Sequence, residues 1–191
     1  MTAQLNLGLI GAGRIGRLHA EHIATRILNA RCLLVADVDE TAAQRAADEF
    51  RINFAVQDYH MVLDSPAIDA VVICSATHTH AQIIIEAAAA GKHIFCEKPI
   101  DHNLVVIDEA LKAVEVAGVK LQIGFNRRFD ANFQRLRRAV ADGEIGEPQL
   151  LHIISRDPSP PPLSYIQVSG GIFKDMTVHD FDMARYLMGC E

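Results

Sequence analysis

The run Leu5–Ile23, "LNLGLIGAGRIGRLHAEHI", decides the fold. It opens with an apolar strand, Leu5–Ile10, passes through Gly11-Ala12-Gly13-Arg14-Ile15-Gly16, and continues with helical spacing. A lone G-x-G-x-x-G says little, but between a strand and a helix each glycine has a physical task. The first permits the tight turn, the second lets the backbone approach a pyrophosphate, and the third lets helix pack on strand. The helix that starts there offers free N–H groups and the positive end of its dipole to an anion. Gly11, Gly13, Arg14, Ile15 and Gly16 are therefore candidate cofactor-binding positions.

The next apolar run ends "LLVADVDE" and places Asp37 21 residues after Gly16. A carboxylate there can accept hydrogen bonds from both ribose hydroxyls of an adenosine and would repel a 2′-phosphate. No Arg or Lys follows at once, so the pattern favours NAD over NADP. Two alternatives stay open on these residues alone. One is a glycine turn with an ordinary surface aspartate; the other is a methyltransferase with an adenosyl cofactor, which pairs the same two features.

Further along, strand candidates Cys32–Ala36, Ala70–Cys74, His93–Cys96 and Lys120–Ile123 alternate with helical patterns near Gly13–Leu28, Glu40–Phe50, Ala81–Ala90 and Leu104–Ala117. Several strands are apolar on nearly every residue, as a sheet covered on both faces requires. The alternation predicts an α/β fold with a doubly wound parallel sheet over residues 1–124. After Gly124 the pattern changes. A helix, Asp130–Ala141, runs into the turn-rich "DGEIGEP", followed by one strand, Gln149–Ser155, a proline segment and a terminal helix. One strand makes no sheet. Residues 125–191 therefore read as the start of a second, α+β domain whose remainder is absent.

Composition bounds the partners. With 191 residues and 50% apolar content, the chain can bury a sizeable core. A net charge of −6 argues against nucleic acid, and the cluster Arg127, Arg128, Arg135, Arg137 and Arg138 reads as a solvated helix face. No apolar run reaches the roughly 18 residues of a membrane span, and the N-terminus has no signal-peptide pattern. Cys32, Cys74, Cys96 and Cys190 are scattered without a C-x-x-C, which suits buried, reduced thiols in the cytoplasm better than disulfides or a zinc site.

"GKHIFCEKPI" puts Glu97-Lys98-Pro99 at the carboxyl end of a buried strand, where ligands of open α/β sheets bind. On the tripeptide alone, a lysine reaching into the crevice and a surface lysine before a turn are equally good readings. Near the end, "GGIFKDMTVHDFD" reads as a helix. At about 100° per residue, Asp175, His179 and Asp182 fall within about 60° of one another, while Phe173, Met176, Ala184 and Leu187 form the apolar side. The plain alternatives are a solvated polar face or an Asp/His pair holding a metal. No third ligand stands near, so no metal site is expected.

In this order, "GAGRIG", "SATHTHAQ" (Ser75 to Gln82), "CEKP" and "GGIFKDMTVHDFD" resemble the Gfo/Idh/MocA oxidoreductases along essentially the whole chain. "GFNRRFD", "SRDP", "PPPLSYIQVSGGIF" and "HDFDMARYL" look most like the inositol 2-dehydrogenases among them. The resemblance implies hydride transfer from a polyol hydroxyl carbon to NAD. It implies His179 as the base, Asp175 beside it, and Lys98 holding the reacting oxygen. It places Asn126, Arg127 and Asp182 on the substrate with Lys98, Asp175 and His179, and it places Ser75, Thr77 and His80, in a loop formed by "SATHTHAQ", along the cofactor with Glu97 and Lys98. Relatives of this kind continue into a large open sheet that walls the substrate pocket and often builds oligomers. A homo-oligomer through residues 149–156 is therefore expected. An NAD-binding module without turnover is the alternative reading of a truncated chain.

Overall fold

Strands apolar on both faces need cover on both sides, and the first part of the chain is built to supply it. The computed structural model describes residues 4–167 and 169–189. Contacts divide the chain into two units, Met1–Gly124 and Phe125–Glu191, each described by itself.

In the first unit, β1 (Leu5–Ile10), β2 (Ala30–Ala36), β3 (Phe54–Val56), β4 (Ala70–Ile73), β5 (His93–Cys96) and β6 (Leu121–Ile123) form one sheet in the order β3-β2-β1-β4-β5-β6. Every neighbouring pair is parallel. The chain winds outward from β1 to one edge, then returns to β4 and winds to the other. The reversal between β1 and β4 opens a crevice at their carboxyl ends. The connections are α1 (Arg14–Thr25), α2 (Glu40–Phe50), α3 (His60–Leu63), α4 (Thr77–Ala89) and α5 (Leu104–Ala117).

Successive strand residues enter different cores. Leu9, Val35 and Val72 pack with Ala20 and Ile23 of α1 and Ala46 and Ala47 of α2. Ile10, Val71 and Ile73 pack with Ile84 and Ala87 of α4 and Ala110 and Val114 of α5. The period of two along a strand explains the split, and with both faces covered the buried stretches of these strands are apolar. Caps set several helix ends. The Asp39 carboxylate accepts from the Thr41 and Ala42 N–H groups, and the Asn103 side chain accepts from Val105 N–H. Gly118, at φ +67°, ends α5.

Three local expectations change. The short elements β3 and α3 were not anticipated; three residues carry too little periodicity to read. The first helix ends at Thr25 rather than Leu28. The run "SATHTHAQ" is not a loop throughout, because α4 already begins at Thr77. Its N-cap is Ala76, with no side-chain cap, so nothing in the sequence marks the start.

The second unit holds a 3-10 turn at Asn126–Phe129, then α6 (Ala131–Ala141), α7 (Leu163–Ile166), α8 (Ile172–Asp175) and α9 (Thr177–Met188). Asp130 caps α6 through the Asn132 and Phe133 N–H groups. Ala139 of α6 and Met183 and Leu187 of α9 are buried. The expected strand Gln149–Ser155 is not formed among the described residues. Exposure does alternate residue by residue from Leu151 to Arg156, as in a strand. A ladder needs a partner, and the described residues of this unit offer none. The expected terminal helix is also broken, at Met176, into α8 and α9. The Thr177 hydroxyl donates to the carbonyls of Ile172 and Phe173, a side-chain bond that competes with a continuous ladder. Among the described residues no helix is long and apolar enough to cross a membrane.

Candidate functional site

At the carboxyl ends of β1, β2 and β4 lies a cleft of about 410 Å³. Its walls include Gly11, Gly13, Asp37, Val38, Ser75 and Thr79. Gly11 has φ +99°, and a Cβ there would stand 2.6 Å from the backbone of Cys74 and Ser75. At Gly16 a Cβ would stand 1.9 Å from the Gly11 carbonyl oxygen. These two glycines close the turn and seat the helix. Gly13 differs, since a Cβ there would meet nothing within 4 Å. It is the N-cap of α1 and gives that helix no side-chain cap. Bare backbone, open space and helix N–H groups come together at one wall of the cleft, and they suit a pyrophosphate.

Asp37 is held from both sides. One carboxylate oxygen accepts the Ala12 N–H at 2.6 Å, and the other accepts the Asp39 N–H at 2.9 Å. The residue that sequence reading assigned to the ribose therefore also ties the glycine loop to the end of β2. Of the expected cofactor positions, Gly11, Gly13, Asp37 and Ser75 line the cleft, whereas Arg14, Ile15, Gly16, Thr77, His80, Glu97 and Lys98 lie outside its lining. Val38, Gln57, Tyr59 and His78 also line it and were missed. Only their position just past strand ends could have flagged them. The Tyr59 hydroxyl donates to Glu86 at 2.6 Å; burial, then that carboxylate, push its pKa up to about 12. Taken together, these residues fit a dinucleotide.

Past β5, the Glu97 N–H donates to the Ile73 carbonyl at 3.0 Å. Its carboxylate lies 2.7 Å from His19 Nε2, and the His19 ring stands edge-on to Phe95 at 5.0 Å. A Cβ at Gly124 would come within 3.0 Å of the same carboxylate. Lys98 follows, half-buried, and its peptide bond to Pro99 is cis. His80, on α4, is 2% exposed, with Nδ1 2.8 Å from the Pro99 carbonyl and Nε2 3.0 Å from the Ser75 carbonyl.

In the second unit the ionisable trio Asp175, His179 and Asp182 does not share one helix. Asp175 ends α8, while His179 and Asp182 lie on α9, because the break at Met176 intervenes. Asp175 accepts a hydrogen bond from the Tyr165 hydroxyl at 2.7 Å. The His179 ring meets the Phe125 ring edge-on at 6.3 Å. Asp182, only 9% exposed, takes a two-pronged bond from Arg128, whose guanidinium also lies over the Tyr186 ring at 5.2 Å. Arg127 bonds Asp180 and Ser155, and Ser155 also donates to Asp180. Burial alone would raise the Asp180 carboxyl, but the bonds from Ser155 and Arg127, with the charges of Arg127 and His179, hold it below the usual carboxylate range. Asn126 is exposed. The arginine cluster is thus not simply a solvated face: Arg127 and Arg128 tie α9 to the 3-10 turn, and Arg135 pairs with Glu144. The sequence carried no sign of these pairings.

Cys32, Cys74 and Cys96 are free thiols. Burial pushes all three upward, Cys32 to about 12. Cys190 lies outside the described residues. Among the described residues no group of three or more His, Cys, Asp or Glu is placed to hold a metal ion.

Comparison with known proteins agrees with this arrangement. The family described as "Oxidoreductase family, NAD-binding Rossmann fold" matches residues 5–125, and the "GFO/IDH/MocA C-terminal domain" matches residues 133–191. The chain is 51% identical, over its whole length, to an uncharacterized oxidoreductase of Bacillus subtilis, YrbE. It is 49% identical, over 98% of its length, to a myo-inositol 2-dehydrogenase of Thermotoga maritima. In each case it spans 56% of the relative. A crystal structure of scyllo-inositol dehydrogenase from Lactobacillus casei, with bound NAD(H) and scyllo-inositol, superposes with a TM-score of 0.90 at 33% identity. That match covers 97% of this chain and 56% of the other. A glycine-loop cleft on a β3-β2-β1-β4-β5-β6 sheet, with the Glu97-Lys98-Pro99 run past β5 and both family domains in register along the chain, makes this protein a member of the Gfo/Idh/MocA oxidoreductases with their NAD-binding Rossmann fold.

Proposed function

We propose that this chain carries the cofactor-binding and proton-handling parts of an NAD-dependent dehydrogenase that oxidises a secondary hydroxyl of a cyclitol, with myo-inositol going to 2-keto-inositol. NAD, when bound, accepts the hydride from the hydroxyl-bearing carbon. His179 takes the hydroxyl proton, a task suited to a group that titrates near neutrality. Asp175 orients the imidazole and stabilises its charged form. The Lys98 ammonium donates to the reacting oxygen and stabilises the negative charge that develops there. Asn126, Arg127 and Asp182 contact the substrate, and Arg127 and Asp182 also hold α9 to the 3-10 turn through Asp180 and Arg128.

The observation that carries this reading is Lys98 two residues past β5, at the carboxyl end of the parallel sheet, the end at which the glycine-loop cleft lies, in a chain 49% identical to a myo-inositol 2-dehydrogenase. The alternating exposure of residues 151–156 supports homo-oligomerisation through that segment. The free thiols of Cys32, Cys74 and Cys96 support a cytoplasmic setting.

The test is a panel of inositols and aldoses offered with NAD and with NADP, with NADH or NADPH formation followed by absorbance. Turnover of myo-inositol with NAD is expected, and it should be lost in Lys98→Ala and His179→Ala while both variants still bind NAD by calorimetry. Turnover surviving both changes would remove the assigned roles. NAD binding without turnover on any polyol would leave the non-catalytic binding module instead.

A further inference from the structure

We propose that His80 is a positioning residue for Lys98, resting on the reading of Lys98 given above. The run Cys96–Pro99 is pinned on both sides of the lysine. Upstream, the Glu97 N–H bonds Ile73 and its carboxylate meets His19. Downstream, the residue after Lys98 is held through its carbonyl by His80 Nδ1 at 2.8 Å. Proline has no N–H, so that carbonyl is the only backbone hydrogen-bonding group Pro99 can offer. The other His80 nitrogen reaches the Ser75 carbonyl at 3.0 Å, and Ser75 lines the cofactor cleft.

One ring therefore spans the cleft wall and the lysine-bearing turn. It does so from α4, inside the core cluster formed by Ala81, Ile84 and Ala87, and at 2% exposure. Both contacts lie within hydrogen-bond distance. A neutral imidazole has one N–H, so it can donate to only one of these carbonyls at a time. The geometry makes His80 a link that can favour either the Ser75 side or the Lys98 side. With the proton on Nδ1 the ring holds the Pro99 carbonyl, and with it the Lys98 turn, relative to the cleft; reacting groups that drift by about 1 Å can lose on the order of a hundredfold in rate.

The two nitrogens can be separated by substitution. In His80→Asn the amide nitrogen falls near Nδ1 and can keep the Pro99 bond. In His80→Gln it reaches towards Nε2 and can keep the Ser75 bond. The whole chain is reductively methylated with 13C-formaldehyde, and the Lys98 dimethylamine signal is identified by its absence from Lys98→Ala. The expected result is that this signal keeps its position in His80→Asn and moves to that of exposed lysines in His80→Gln. NAD affinity by calorimetry should change less than about threefold in His80→Asn, a difference of under roughly 0.7 kcal/mol. In the active protein, kcat should fall about tenfold or more in His80→Gln with KM nearly unchanged, and recover in His80→Asn. A Lys98 signal unmoved in His80→Gln, or moved equally in both variants, would overturn the proposal. A Lys98 signal that behaves as expected in a chain inactive on every polyol would instead remove the dehydrogenase reading and leave the link intact.

Discussion

Gly13 and Gly16, the second and third glycines of the fingerprint, should respond to alanine in opposite ways, and the difference tests the cofactor site. In Gly16→Ala the new methyl would lie 1.9 Å from the Gly11 carbonyl oxygen. Unbonded carbon and oxygen rest at about 3.3 Å or more, so helix and loop must part by roughly 1.4 Å. Overpacking of that kind costs about 1–3 kcal/mol, and each kcal/mol lowers Tm by about 2–4 °C in a protein of this size. In Gly13→Ala the methyl meets nothing within 4 Å, and the backbone, at φ −68°, already suits alanine. Losing glycine at an N-cap costs a little under about 1 kcal/mol, and the stiffer unfolded chain returns about 0.4–1 kcal/mol. Stability should therefore change by less than about 1 kcal/mol. Binding should not be spared, because the methyl fills the space a pyrophosphate must occupy. Loss of one charge-assisted hydrogen bond, about 1.5–3 kcal/mol, weakens NAD binding by roughly 10- to 100-fold. Urea unfolding and calorimetry with NAD measure the two quantities on the same preparations. A Gly13→Ala protein that binds NAD as tightly as the original would refute the cradle. One as destabilised as Gly16→Ala would refute the reading of its open space.

Three further outcomes follow from named contacts. Asp37→Ala removes the acceptor of the Ala12 and Asp39 N–H groups as well as the ribose partner, so NAD affinity should fall roughly tenfold or more and the preference over NADP should shrink; calorimetry with both cofactors checks this. Asp180 has a folded-state pKa below its ordinary 3.8, so its contribution is present above that value and is lost as pH falls through the folded one. The stability gap between the protein and Asp180→Asn should accordingly be widest near neutrality and close on acidification below about pH 4, as read from urea midpoints across pH. Arg128→Ala leaves the Asp182 carboxylate, 9% exposed, without its fork, and should destabilise by about 1–3 kcal/mol, reduced from the value of a fully buried pair because Arg128 itself is 41% exposed. Arg128→Lys should recover less than half of that loss, since an ammonium cannot bond both oxygens at once; equal recovery would show that charge alone holds α9.

The sheet was legible because its signals are local. A run apolar on every residue states that both faces are covered, and the glycine loop states where the strand turns into a helix. Five of the six strands could be read from runs apolar on most residues, within a residue or two at their ends. The sixth, Phe54–Val56, is three residues long with Phe54 exposed, and offers no period to detect. At Thr77 the helix starts without a capping side chain, so a stretch rich in Thr and His read as a loop. Residues 151–156 show the reverse case. Their exposure alternates as in a strand, but a strand is a relation between two segments, and a local pattern cannot supply the second.

The site divides along the same line. The glycine loop Gly11–Gly16 and Asp37 past the second strand could be read from the sequence alone, because the spacing at a strand end is set by backbone geometry, whereas Asp175 and His179, read as one helix face, fall on two helices. Which of them are occupied by one another was decided only by the tertiary structure. His19 meets Glu97 across 78 residues, Arg128 meets Asp182 across 54, and Asp37 meets Ala12 across 25. Such pairs depend on which strands and helices become neighbours in space, and a charged or polar side chain carries no local mark of the partner that will satisfy it once buried.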